Sequence, residues 1–575
     1  MTFLLDHISP DEFFAIVDSG EAPHVTKYIL GNRQADGTYS NAAISRQFAA
    51  AFPSTSANSH PCLMTGCYGG KNKLFVGNYW NMLGEKPVYT NTDKLTLNGF
   101  KKYYREYLNP TTKTLFEHIP HSVSYHVFNR GAEYKLFSIG RIATDFIPLF
   151  IKMNKEKEPG HIPPIANPEL WTTLFNKHIG KMLQHVKVTG DLYHATFVAF
   201  LLTDQNGHKF GFGSPEYRKA VHVMDDCIRM MVEGTTDTKG NHIEGLKELG
   251  FLDKIIWCLF SDHAGRPIPK DKYIMIDTVL EGDLGLEIVE GDDAAADLER
   301  LNGKLKDADM FSSLASELMC YWSVPDFDRP IKAYDFTPFY GETHFRHMHP
   351  KNRMNRKRSA EVDLIEYLRK KEWVQFILVP EESPPQVQQK SANLAQRTKL
   401  RIPREYCIKI FGKQGTGLLE RKFISNSIHY AYKIIEGKDP LEYDHLNFKA
   451  GEWYSHTETL KRTISHDLPD VFHRLFGFFD AINAPNLAVT SSYEYHYWSR
   501  KTVHQNEIRN VQTHGGFFRI ESIIPAIFAG PGIKKGIEIP FGRNINILPT
   551  LLTTMNVAYD PELLDGEPII DILDR

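Results

Sequence analysis

The sequence predicts an α/β protein, a three-layer α/β/α sandwich on a mostly parallel central sheet, with an inserted accessory α+β region. Three observations lead there. Short apolar runs alternate with helix-patterned segments, the order expected of a parallel sheet covered by helices on both faces. At 575 residues the chain exceeds what one hydrophobic core normally supports, so a second domain or large insertions are expected. The stretch from about 281 to 470 changes character, with an acidic patch (Glu290 to Asp293), a basic run (Lys351 to Arg358) and a Pro/Gln/Ser-rich linker (Glu381 to Ser391). Residues 1–280 and 471–575 are therefore read as two parts of one core, and 281–470 as the insertion.

The chain opens with an apolar run, Thr2 to Leu5, that suits a strand. Ser9-Pro10-Asp11-Glu12 then combines an N-cap, a proline at the first helical position and a capping-box glutamate, so a helix is expected over Pro10 to Val17. Asp6 falls where the strand ends and a loop begins, the usual place for functional groups in an open α/β sheet. Further strands are expected at Thr196 to Leu202, Ile255 to Phe260, Val374 to Val379, Leu487 to Thr490 and Ile524 to Ala529. Helices are expected between several of them, at Pro215 to Met231 and Ile547 to Met555.

Composition narrows the function. A net charge of −3 argues against a nucleic-acid duplex partner, because backbone phosphates demand a basic surface. Six cysteines are too few for a disulfide scaffold. No apolar stretch approaches the ~20 residues of a membrane span. Met-Thr-Phe-Leu-Leu-Asp is too short for a signal peptide, which points to the cytoplasm, or to the periplasm or secretion if the chain is a processed form.

Metal-ligand residue types gather in four segments. Asp204-Gln205-Asn206-Gly207-His208 follows one expected strand, and Ser261-Asp262-His263 follows another. Thr513-His514-Gly515-Gly516 and Asp6 complete the set. Two zinc ions need roughly six or seven nitrogen and oxygen ligands, and imidazole with carboxylate is the usual catalytic mix. Three aspartates and three histidines meet that demand. A hydroxyl candidate lies in Phe52-Pro53-Ser54-Thr55-Ser56-Ala57-Asn58-Ser59-His60, ahead of Leu63-Met64-Thr65-Gly66. A hydroxyl opening a helix suits phosphate chemistry, since free N–H groups and the helix dipole attract the anion. The same residues also serve as plain helix caps, and the local sequence does not separate the two.

As a set, Phe-Pro-Ser-x-Ser with the following Thr-Gly, Gly77-Asn78, Asp204-x3-His208, Ser261-Asp262-His263 and Thr513-His514-Gly515 resembles the type I phosphodiesterase/nucleotide pyrophosphatase branch of the alkaline phosphatase superfamily. The likeness continues through Ala529 to Gly536, and more loosely to Lys438-Asp439-Pro440-Leu441. It implies a phosphoric ester hydrolase with two Zn2+, or other divalent metals, acting on a small phosphate ester or nucleotide-like substrate through a phosphoserine intermediate. One zinc would take Asp204, His208 and His514. The other would take Asp6, Asp262, His263 and the oxygen of Ser56, the nucleophile. Asn78 and the N–H of Ala57 would hold a phosphoryl oxygen.

The chain departs from the family pattern in places. His7 follows Asp6 where the family has glycine, and is read as a loop residue without catalytic duty. Asp18 is a rival first ligand, although the cap at Ser9 puts it at a helix end. Serine stands where threonine is usual, leaving Ser54 and Thr55 as lesser candidates. Ala57 replaces the aromatic that stacks a base, with Tyr79 or Trp80 as substitutes. Pro61 implies an irregular helix start. Gly412 to Gly417 reads as a hairpin turn rather than a phosphate loop. His222 reads as a surface or packing residue. The competing functions are a phosphomonoesterase, disfavoured because no Arg or Lys lies immediately beside Ser56 or Asn78, with Lys71 and Lys73 in the loop between them, and a catalytically silent binding protein.

Overall fold

The computed structural model describes the chain apart from residues 77–78, 82–85, 89–103, 105–106, 127, 156–166, 238, 270, 291–307, 324–340, 351–359, 383–405, 426, 482, 499–509 and 575. Asn78 and most of the basic run and Pro-rich linker therefore lie outside the described residues, as do the side chains of Tyr79 and Trp80.

The first sheet has nine strands. Its centre is formed by β1 (Thr2–Leu5), β2 (Ala42–Ala49), β3 (Ser122–Tyr125), β4 (Ala195–Phe200), β5 (Trp257–Ser261) and β6 (Ile523–Ala529). In space they run β2, β6, β5, β1, β4, β3, with short edge strands outside. Strand β1 is parallel to both β5 and β4, and β3 is parallel to β4. Only β6 opposes its neighbours β5 and β2. The fold is thus the expected mostly parallel α/β sandwich. Leu4, Val198, Leu259 and Ile527 are fully buried, which is why these strands read as continuous apolar runs.

Local signals place the first helices. In α1 (Pro10–Asp18), Ser9 Oγ accepts a hydrogen bond from the Glu12 N–H at 3.2 Å, as its sequence predicts. Helix α2 (Ser56–Thr65) starts after Thr55 and ends at Gly66, whose left-handed φ of 65° suits glycine. Pro61 sits inside α2 rather than in its first turn. It withholds one N–H from the helix without ending it. Next come α3 (Leu202–Phe210) and α4 (Pro215–Glu233), the latter capped by Ser214 Oγ, which accepts from the Tyr217 N–H at 3.2 Å.

A second nine-stranded sheet takes its strands from residues 288–455, plus Leu487–Ser491. Val374–Glu382 pairs antiparallel with Leu487–Ser491 there, so the Leu487 run, expected in the second part of the core, belongs instead to the accessory sheet. Ile377, Leu378, Leu487 and Val489 are fully buried. A strand buried on both faces shows no alternation to distinguish one sheet from another. Tyr406–Phe411 and Gly415–Ile424 form the hairpin expected around Gly412. Asp439 is structural, accepting from the backbone N–H groups of Leu441 and Tyr443 at 2.9 and 2.7 Å.

Candidate metal centre

Strand register assembles the site. Leu5 stands beside both Phe200 and Ser261, so Asp6, Asp262 and the start of α3 leave the sheet at one edge. That edge is the crevice where open α/β sheets bind ligands. On α3, Asp204 and His208 are four residues apart and share a face, with Oδ1 and Nε2 3.1 Å apart. Strand β6 runs opposite to its neighbours, so the loop entering it, which holds His514, arrives at the same edge the other strands leave. Strand β2 leads to Ser56 at the first position of α2.

The side chains converge closely. Nε2 of His208 lies 3.1 Å from Nε2 of His514, and the latter lies 3.5 Å from Asp204 Oδ1. Beside them, His263 Nε2 lies 3.4 Å from Asp6 Oδ1 and 3.3 Å from Asp262 Oδ2. The rings of His263 and His514 stack at 3.9 Å, joining the two groups. Ser56 Oγ lies 3.2 Å from Asp6 Oδ1 and 3.2 Å from His263 Nε2. Three backbone carbonyls fix the rings. Nδ1 of His208 donates to Gln512 O at 2.8 Å, that of His514 to Ser54 O at 2.9 Å, and that of His263 to Ala264 O at 3.1 Å. Each Nε2 lone pair is thereby aimed into the cluster, as in metal-ligating histidines.

The electrostatics call for a cation. Among the described residues, the ion-pair contacts of Asp6, Asp204 and Asp262 are all to histidines, and none is to Lys or Arg. Burial, then the neighbouring Asp262 and Asp204 carboxylates, hold Asp6 well above the usual carboxylate range. Burial pushes Asp204 and Asp262 the same way, but His208 beside the former and His263 and His60 beside the latter outweigh it and hold both low. Burial keeps His263 far below the usual imidazole value. Asp204 Oδ1 and Asp262 Oδ2 are buried without a hydrogen-bond partner. Such orphaned lone pairs are costly, and a shared metal ion satisfies them. The donors fit: His7, Asp204, His208 and His514 offer one group of atoms mutually within 4.8 Å, with Asp6, Asp204 and His263, and Asp6, His60 and Asp262, as two further groups.

The family model described as type I phosphodiesterase / nucleotide pyrophosphatase matches residues 39–321. The match covers just under half of the chain, and over that stretch the sequence is similar to this family of phosphoric ester hydrolases. Murine ectonucleotide pyrophosphatase / phosphodiesterase 5 is similar in structure, with a TM-score of 0.50, 10% identity, and coverage of 100% of this chain and 99% of that one. An inactive variant of the murine protein, in complex with AMP, matches with the same TM-score of 0.50, identity of 10% and coverage of 100% and 99%. At that identity the likeness speaks for the fold. No curated protein sequence matches the chain.

Of the residues carried over from the phosphodiesterase family, Ser56, Asp204, His208, Asp262 and His263 fall inside the matched region, while Asp6 and His514 lie outside it and are brought in by the sheet. Asp18 lies apart at the end of α1, accepting from Tyr39 Oη at 2.6 Å and facing Arg33 at 3.3 Å. Ser54 is fully buried, and its Oγ accepts from Arg474 at 2.8 Å. Lys71 turns to the C-terminal segment, pairing Asp565 at 3.0 Å. His222 faces Glu21 at 3.4 Å on the surface. Two residues missed in the sequence reading stand in the cluster. His60 Nε2 is 3.0 Å from Asp262 Oδ2, and its place four residues after Ser56 on α2 was the available signal. His7, read as an idle loop residue, is fully buried with Nδ1 3.0 Å from Asp204 Oδ1. Adjacency to Asp6 was its only hint.

Proposed function

We propose that the protein is a two-zinc phosphodiesterase or nucleotide pyrophosphatase that works through phosphorylated Ser56. The observation that carries this reading is the convergence of Asp6, Asp204, Asp262, His208, His263 and His514 beside the Ser56 hydroxyl, with three Nε2 lone pairs turned inward. Asp204, His208 and His514 would hold one ion, and Asp6, Asp262 and His263, with Ser56 Oγ, the other. When bound, the two ions would supply the positive charge that lowers the hydroxyl's pKa and steadies the attacking and leaving oxygens. Three carboxylates and one seryl alkoxide carry four negative charges, which two divalent cations balance.

The chain's own residues perform the rest. Asp6 and His263, each 3.2 Å from Ser56 Oγ, hold that oxygen at the mouth of the crevice. Ser56 loses its proton and its oxygen bonds to phosphorus, while the ester oxygen leaves with the bonding pair and takes up a proton. Water then attacks phosphorus, the Ser56 Oγ–P bond breaks, and the serine regains a proton. The amino end of α2, including the Ala57 N–H, would face the phosphoryl oxygens, the role the sequence also assigns to Asn78, which lies outside the described residues. The murine relative's complex with AMP favours a nucleotide-like ester as substrate. The segregation of 1–280 and 471–575 as catalytic core and 281–470 as accessory region belongs to the same reading, with Leu487–Ser491 passing to the accessory sheet.

Metal analysis with paired rate measurements tests it. The purified protein is expected to carry two equivalents of zinc and to cleave a bis-aryl phosphate diester faster than the aryl monoester. Full activity in protein stripped of metal, or a strong monoester preference, overturns it.

A further inference from the structure

His7 is placed as few buried histidines are. Its φ of 64° lies in the left-handed region that non-glycine residues rarely adopt. Both of its backbone groups are tied: the N–H donates to Asp262 Oδ1 at 3.2 Å, and the carbonyl accepts from Tyr217 Oη at 3.0 Å. The ring is thus held between the rings of His208 and His514, each 5.0 Å away. Space is reserved for it. A Cβ on Gly265 would stand 1.9 Å from His7 Nε2, and one on Gly207 would stand 3.1 Å from Nδ1. A side chain at Gly265 would overlap the imidazole, and one at Gly207 would press on it.

The ring nevertheless has no hydrogen-bond partner at either nitrogen, although it is fully buried. Nδ1 approaches Asp204 Oδ1 to 3.0 Å without hydrogen-bond alignment. A histidine that merely filled the core would be satisfied by a backbone or side-chain partner. Here His7, whose Nδ1 is the nitrogen beside Asp204, joins Asp204, His208 and His514 in a set that offers one donor atom each, all within 4.8 Å of one another. Two atoms with lone pairs that approach without bonding to each other are arranged as co-ligands are.

We propose that His7 Nδ1 is a fourth protein ligand of the ion held by Asp204, His208 and His514, a proposal that rests on the metal-dependent reading above. The consequence is chemical. Catalytic zinc sites keep three protein ligands and an open position, so a three-histidine, one-aspartate set closes a tetrahedral shell. This ion contacts a substrate oxygen only by taking five or more ligands. The centre accordingly favours divalent ions that accept higher coordination, such as Mn2+ or Co2+, more than a three-ligand site does.

The test compares wild type with His7→Gly by equilibrium dialysis with Zn2+ alone and by the visible spectrum after Co2+ loading. Glycine accepts the left-handed backbone and leaves Asp204, His208 and His514 in place, so folding is preserved; circular dichroism verifies it. Wild type is expected to bind two ions. The variant is expected to bind one of them at least about tenfold more weakly, the low end of what losing even a supporting partner costs, and to shift the cobalt bands. Two ions in wild type with unchanged affinity and spectrum in His7→Gly overturn the role of His7 alone. Wild type that binds no ion overturns the metal-dependent reading and this proposal together.

Discussion

Two buried polar clusters lie side by side at the sheet edge, and they are built on opposite plans. In the first, Arg266 is fully buried and every direction of its guanidinium is answered. Its Nε donates to Glu521 at 2.6 Å, and its Nη2 donates to Glu317 at 3.0 Å, Ser491 Oγ at 3.2 Å and Tyr495 O at 2.9 Å. Glu521 also accepts from the Gly516 N–H at 2.6 Å, and Glu317 pairs with His496. This network ties the loops after β5 and before β6 to Glu317 and Ser491, on the accessory side. The second cluster, three or four residues away on the same loop, leaves Asp204 Oδ1, Asp262 Oδ2 and both nitrogens of His7 unanswered. A closed network of paired charges is architecture. Lone pairs that face one another without donors mark a place for a cation.

Breaking each cluster should therefore fail differently. The largest effect is expected from Ser56→Ala, which removes the proposed nucleophile: steady-state diester hydrolysis should fall roughly 10⁴-fold or more, with little change in the thermal midpoint. Turnover that survives intact removes Ser56 from the chemistry. Next is Arg266→Met, which strands Glu317 and Glu521 without their counter-charge and should cost about 3–5 kcal/mol in denaturant unfolding. If the two clusters were alike, chelation would not discriminate between them. Metal removal is expected to lower the stability of wild type by about 2.7 kcal/mol for each ion held at a hundredfold above its dissociation constant. Asp6→Asn should lose about half of that response, while Arg266→Met keeps it. Differential scanning calorimetry with and without chelator measures both.

Glu12 sits between the two plans and should show the smallest effect. It is half-buried at the start of α1, and burial raises its carboxyl to about 7 from the ordinary 4.5 against the pull of Arg218. A raised folded-state value means that its contribution to stability is complete below pH 4.5 and is lost as pH rises through 7. Glu12→Gln should flatten the stability profile across that window, and unfolding measured from pH 4 to 8 checks the slope. An unchanged slope would place the pH dependence elsewhere.

Much of this was legible along the chain. Ser9-Pro10 opens α1 where a capping serine and a first-turn proline must, because those preferences concern neighbouring backbone groups alone. Asp204-x3-His208 reads in the sequence as a ligand-bearing segment after a strand, and that the two side chains share one face of α3 is a finding of the structure. Strand β2 was not, since Ala42–Ala49 is poor in β-branched residues and is interrupted by Ser45, Arg46 and Gln47, with a register shift between Ser45 and Phe48. Nor could the doubly buried run at Leu487 be assigned to its sheet.

By itself the sequence determined the α/β class, the capped start of α1, and which residue types could bind a metal, because these depend on spacings of a few residues. Tertiary structure alone decided that Asp6 and Asp262 share a register, that one reversed strand delivers His514 to the same edge, and that His7 turns inward. Those outcomes depend on pairing between segments hundreds of residues apart and on one left-handed backbone angle, neither of which leaves a periodic mark on the chain.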